Sequence, residues 1–159
     1  MMEQQQASED AVMTRIGQAV MLLHGGDREE ARNRFGELWT EICEAGDALH
    51  RCTLAHYMAD TQDDPGDELA WDLRALTAAD GLDKSGDGPA RSKDSPAVRA
   101  FYPSLHLNLA ADYAKLQRPD AARLHLDRAR DAADVLGEDG CGHGVRAGID
   151  RLERRLRGR

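Results

Sequence analysis

Residues 105–133, LHLNLAADYAKLQRPDAARLHLDRARDAA, decide how the rest of the chain is read. Leu105, Leu109, Ala110, Tyr113 and Leu116 recur at helical spacing and define one apolar stripe. Gln117-Arg118-Pro119-Asp120 breaks that stripe, and Pro119 suits the first turn of a second helix. Ala122, Leu126, Ala129, Ala133 and Leu136 form the stripe of that second helix. Alanines at 110, 122 and 129 let the two helices approach closely. Neither helix can bury its stripe alone, so the hairpin requires neighbours.

The hairpin resembles a tetratricopeptide repeat, a helix-turn-helix unit of roughly 34 residues. Ala110 takes the small position of the first helix and Tyr113 the aromatic one. Ala122, Leu126 and Ala129 take the small, large and small positions of the second. Gln117 stands where the family has its turn glycine, and Asp134 where it has its closing proline. Upstream, Ala19, Leu22, Gly26, Ala31 and Phe35 repeat the offsets, this time with the turn glycine. A middle copy reads Ala55 and Met58, then Leu69, Leu73 and Leu76, with a turn about two residues longer than the pattern. The resemblance covers most of residues 10–136. It implies an all-α fold of three antiparallel hairpins in a right-handed superhelix, closed by a C-terminal capping helix.

Composition agrees with closely packed helices. Of the 159 residues 41% are hydrophobic but only 4% aromatic, so the core is built from Ala, Leu, Val and Met. The formal net charge of −8 argues against general binding to nucleic acid or anionic membrane. The longest apolar run, Ala19–Leu23, is far too short to span a bilayer, and MMEQQQASED lacks the apolar core of a secretion signal. Three cysteines, Cys43, Cys52 and Cys141, make no even disulfide framework, and reduced thiols in a cytoplasm are the expectation. The bias to arginine and alanine resembles small actinobacterial proteins of the repeat family.

In chain order, residues 1–7 read as a disordered tail, and residues 8–157 as one helical-repeat domain. Ser8 is the expected first cap, and Gly25-Gly26 the end of helix one. Asp27 with Glu30 forms a capping-box arrangement for helix two, whose stripe is Ala31, Phe35, Leu38, Trp39 and Ile42. Helix three runs from about Asp47 to Asp60. Asp64-Pro65 starts helix four, with Leu69, Leu73 and Leu76 expected inward. Residues 82–95, LDKSGDGPARSKDS, carry no periodicity and read as a mobile insert. Helix resumes at Ser95-Pro96, with a break expected near Phe101-Tyr102 ahead of Pro103. Beyond a glycine-rich link, Val145, Ile149, Leu152 and Leu156 stripe the capping helix, 145–157, which is otherwise rich in arginine.

Candidate chemistry is sparse. His50, Cys52 and His56 are the most ligand-like cluster, since Cys52 and His56 share a helical face. Zinc would still need ligands from His24, Asp60 or His106. A small metal protein or enzyme built on this cluster is the alternative reading. Cys141-Gly142-His143-Gly144 offers a thiol beside an imidazole but no orienting group. Asp60, Asp63, Asp64 and Asp67 do not match a calcium loop and read as a turn with helix caps. No catalytic residue, cofactor or metal ligand is assigned.

The resemblance implies a non-catalytic scaffold that binds a protein or peptide along a concave groove lined by the first helix of each repeat. The pattern maps that groove to Ile16, Val20 and His24, to Leu49, Cys52, His56 and Asp60, and to Leu107, Ala111 and Lys115. The asparagine and basic positions with which one subset of the family holds a peptide carboxylate are not reproduced. The insert or a second copy of the chain, as a homodimer, are the competing occupants.

Overall fold

The computed structural model describes residues 2–42, 48–80, 96–134 and 140–158. The insert at 82–95, Leu136, and the thiols of Cys43 and Cys141 lie outside the described residues. Among the described residues there are seven helices and no strand: α1 (Met2–His24), α2 (Arg28–Ile42), α3 (Ala48–Asp60), α4 (Pro65–Asp80), α5 (Pro96–Lys115), α6 (Pro119–Asp134) and α7 (Gly140–Arg157). The fold is all-α, as composition and periodicity require.

Helices pair in sequence, α1 with α2, α3 with α4 and α5 with α6, and each pair touches the next through α2–α3 and α4–α5. Helix α1 also reaches α3, and α7 rests on both α5 and α6. Three apolar clusters follow from this order. Ile16, Ala19, Ala31, Phe35, Leu38, Leu54 and Met58 join α1, α2 and α3. Cys52, Ala55, Ala75, Ala78, Ala79 and Leu105 join α3, α4 and α5. Ala110, Ala122, Leu126, Ala129, Ala133, Ile149, Leu152 and Leu156 join α5, α6 and α7. Ala110, Ala122 and Ala129 are completely buried, so the close helix contact expected at these alanines is made.

The first and third hairpins turn in the same way. Asp27 N–H donates to Leu22 C=O at 2.9 Å and Gly26 N–H to Leu23 C=O at 3.2 Å; Arg118 N–H donates to Tyr113 C=O at 2.9 Å and Gln117 N–H to Ala114 C=O at 3.2 Å. Both are Schellman closures, which need a left-handed residue just past the helix. Gly26 takes it at φ 95° and Gln117 at φ 61°. Glutamine therefore takes in the third turn the left-handed conformation that glycine takes in the first, at the steric cost of its Cβ. The middle turn closes differently. Thr61 Oγ1 donates to Met58 C=O at 2.7 Å, and Asp64 Oδ2 caps α4 by accepting Asp67 N–H at 3.0 Å. Arg28 and Arg32 reach over from α2, binding the carbonyls of Gln62 and Thr61 and the Asp63 carboxylate. The acidic turn is thus taken up in capping and in pairing with arginine.

Four expectations need correction. Helix α1 begins at Met2 rather than Ser8, because glutamate, glutamines and alanine propagate helix and no glycine or proline stops it. Helix α7 begins at Gly140, inside the expected link. Helix α5 runs unbroken past Pro103, a buried residue flanked by Phe101, Tyr102 and Leu105, all packed on the α3–α4 core. In α4 the buried row is Asp72, Ala75, Ala78 and Ala79, whereas Leu73 is 38% exposed. Alanines admit α3 and α5 more closely than a leucine stripe would, and that contact sets the rotation of α4.

Candidate functional site

The residues expected to line the groove divide into two groups. Ile16 and Cys52 are core, 2% and 1% exposed, and present no surface. Burial pushes the Cys52 thiol up to about 12, so it is not a nucleophile or a ready metal ligand near neutrality. His50 is buried as well. Among the described residues no three of His, Cys, Asp or Glu converge in a way that would hold a metal ion. Val20 is half-buried against the first cluster, and Leu49 is half-buried on α3. Leu107 and Ala111 pack against the third cluster. At Leu107 helix α7 comes so close that a Cβ added to Gly148 would lie 2.8 Å from Leu107 Cδ2. Helix α7 therefore covers Leu107.

His24, His56, Asp60 and Lys115 form the second group, and the fold brings them together. His56 Nδ1 lies 3.2 Å from Asn108 Nδ2, so the Asn108 amide donates from α5 to the imidazole on α3. The ring of His56 also meets those of Tyr57 and Phe101 edge-on. Burial lowers its proton affinity, against the opposing pull of Asp60, and keeps the imidazole a neutral acceptor. Asp60 lies one turn further along α3. The residue is exposed, yet surrounding chain desolvates its carboxyl and pushes its pKa up, while the charges of His56, Lys115 and His24 pull it down. Lys115, at the end of α5, bridges to Glu68 on α4 at 2.8 Å. One acidic group thus senses side chains from α1, α3 and α5, the first helices of the three pairs.

Asn108, Glu68, Asp72 and Asp112 escape the sequence reading. Asn108 sits between stripe positions, and nothing in the sequence marks it as a partner for a residue 52 positions away. Asp72 and Asp112 carry a readable signal, a charged residue in register with buried alanines, but larger apolar neighbours at Leu73 and Leu109 drew the stripes. A second polar cluster lies between α5 and α6. His106 Nδ1 and His125 Nδ1 are 3.1 Å apart, with Tyr102 and Tyr113 stacked on either side. Desolvation, then His125 and Arg128, push His106 down to about 4, so the pair is neutral and one imidazole donates to the other.

Comparison with protein-family models, with curated proteins and with solved structures finds no match for this chain.

Proposed function

We propose that the chain is a non-catalytic helical-repeat scaffold of tetratricopeptide type, with its three hairpins in a right-handed superhelix and α7 as the cap. It binds an extended protein or peptide segment along the face formed by α1, α3 and α5. The observation that carries this reading is the continuity of polar side chains across those three helices. His56 bonds Asn108 across α3 and α5, and Asp60 sits within electrostatic reach of both His24 and Lys115. The matching turns at Gly26 and Gln117 support a repeated unit. Such a face holds a segment by apolar contact plus a few directional polar groups. Its core-facing residues, Ile16 and Cys52, support the walls rather than touch the ligand.

The binding set that follows is His24, Leu49, His56, Asp60, Asn108 and Lys115. The partner is a protein or peptide rather than nucleic acid or membrane, consistent with the net charge of −8 and with no described helix long and apolar enough to cross a membrane. Burial keeps the Cys52 thiol protonated, which weighs against the metal or enzyme alternative. The test is His56→Ala on a partner captured by affinity from the native cell. Binding lost with an unchanged melting curve is the expected result. Unchanged binding, or loss of folding together with binding, returns His56 to a packing role.

A further inference from the structure

Helices α4 and α5 meet across two acids. Glu68 reaches Asp112, and Asp72 and Asp112, each 2% exposed, are placed to hydrogen-bond one another. An ionised carboxylate is only an acceptor, so this bond requires a proton on one of the two groups. Asp72 Oδ1 and Asp112 Oδ2 are buried and meet no donor from the rest of the described chain. Two bare charges in this seam would repel with little water to screen them.

The groups facing the pair do not supply the missing positive charge. Asp60 from α3 and Glu68 from α4 face Asp72; Glu68 again and Lys115 from α5 face Asp112. Lys115 is already bridged to Glu68 and is half-exposed. His56, the titratable neighbour of Asp60 on α3, is held neutral by burial. A proton is the simplest counter-charge that fits.

We propose that Asp72 and Asp112 share one proton and form a latch between α4 and α5, closed while the proton is held and released when it leaves. In the closed state the Asp72 carboxyl donates O–H to the Asp112 carboxylate. Opening transfers that proton to water and leaves two carboxylates facing each other. The seam then keeps its apolar contacts, the Lys115–Glu68 bridge and the Tyr102–Asp80 hydrogen bond at 3.2 Å. The latch joins the second helix pair to the third, beside the His56–Asn108 contact, so its state sets how firmly the two pairs are held in register. It does not depend on the binding role proposed above.

Asparagine at either position supplies a permanent N–H donor in place of the proton, which makes Asp72→Asn and Asp112→Asn the informative variants. Melting temperatures of the full chain and both variants are compared from about pH 5 to about pH 9. The expected result is that each variant melts above the parent at high pH, by about 5 °C or more, and that the difference closes toward low pH. An infrared C=O stretch of a protonated carboxyl group is expected in the parent chain at neutral pH and is lost in Asp72→Asn. Offsets independent of pH in both variants, or no protonated-carboxyl band in the parent, overturn the latch. The infrared measurement decides the matter even where an asparagine variant does not fold.

Discussion

Helix α5 has two neighbours and meets them through opposite chemistry. Toward α6 the seam is mainly alanine and leucine, with the stacked His106–His125 pair beside it: Ala110 and Ala114 face Ala122, Leu126, Ala129 and Ala133, all buried. Toward α4 the seam adds polar pairs to the apolar cluster: Asp112 with Asp72, Lys115 with Glu68, and Tyr102 with Asp80. The first seam is specified mostly by shape, and its titratable part is the neutral His106–His125 pair. The second is specified in part by charge state. One helix thus carries a fixed joint on one side and an adjustable one on the other.

The largest expected effect breaks the fixed joint. Leu126→Ala should cost about 2–5 kcal/mol, because it removes a buried side chain and leaves a cavity between α6 and α7. Ala122→Leu or Ala110→Leu should cost roughly 1–3 kcal/mol by forcing the helices apart. Urea melts measure both, and the losses should be equal at about pH 5 and about pH 8. An Ala122→Leu variant with an unshifted midpoint would mean that the helices do not touch there.

The adjustable joint should respond to pH instead. Burial first, and Glu68 among the charges, hold the Asp112 carboxyl up at about 6, and Asp72 is held higher still. Both lie above the unfolded value of about 3.9. The folded chain therefore keeps protons that the unfolded chain releases; this contribution to stability is full below about pH 4 and is lost as pH rises, through about 6 for Asp112 and through about 10 for Asp72. His106 works the other way. Depressed to about 4, it contributes stability above the unfolded histidine pKa that is lost as pH falls through 4. Replacing His106 with Gln should therefore flatten the acid limb of the melting curve and leave the alkaline limb, set by the acid pair, unchanged. Movement of the alkaline limb instead would sink this division.

Two smaller effects sharpen the comparison. Gln117→Gly should stabilise by about 0.5–1 kcal/mol, since glycine takes a positive φ without steric cost. Gly26→Ala should do the reverse at the equivalent turn, and thermal melts should show opposite signs. Lys115→Met should cost no more than about 1 kcal/mol, because the bridge to Glu68 is half-exposed on the lysine side. The difference should fade in high salt; a loss that persists there would place Lys115 in packing rather than pairing.

The alanine row of α6 was legible without any structure, since Ala122, Leu126, Ala129 and Ala133 recur at helical spacing and their burial follows from size and period alone. So were the Gly26 turn, the Asp64-Pro65 start of α4 and the stripe of α7. These features depend on neighbours within one or two turns of the same helix. The rotation of α4 was not legible, because large leucines dominate a periodic count while small alanines decide which face another helix can approach. Neither was the cover that α7 lays over Leu107, nor the meeting of His56 with Asn108 and of Asp72 with Asp112. The sequence by itself determined where most helices and turns lie and the apolar rows other than that of α4. Only the tertiary structure decided which charged residues came to face each other, because that depends on the rotation and spacing of helices brought together from distant parts of the chain.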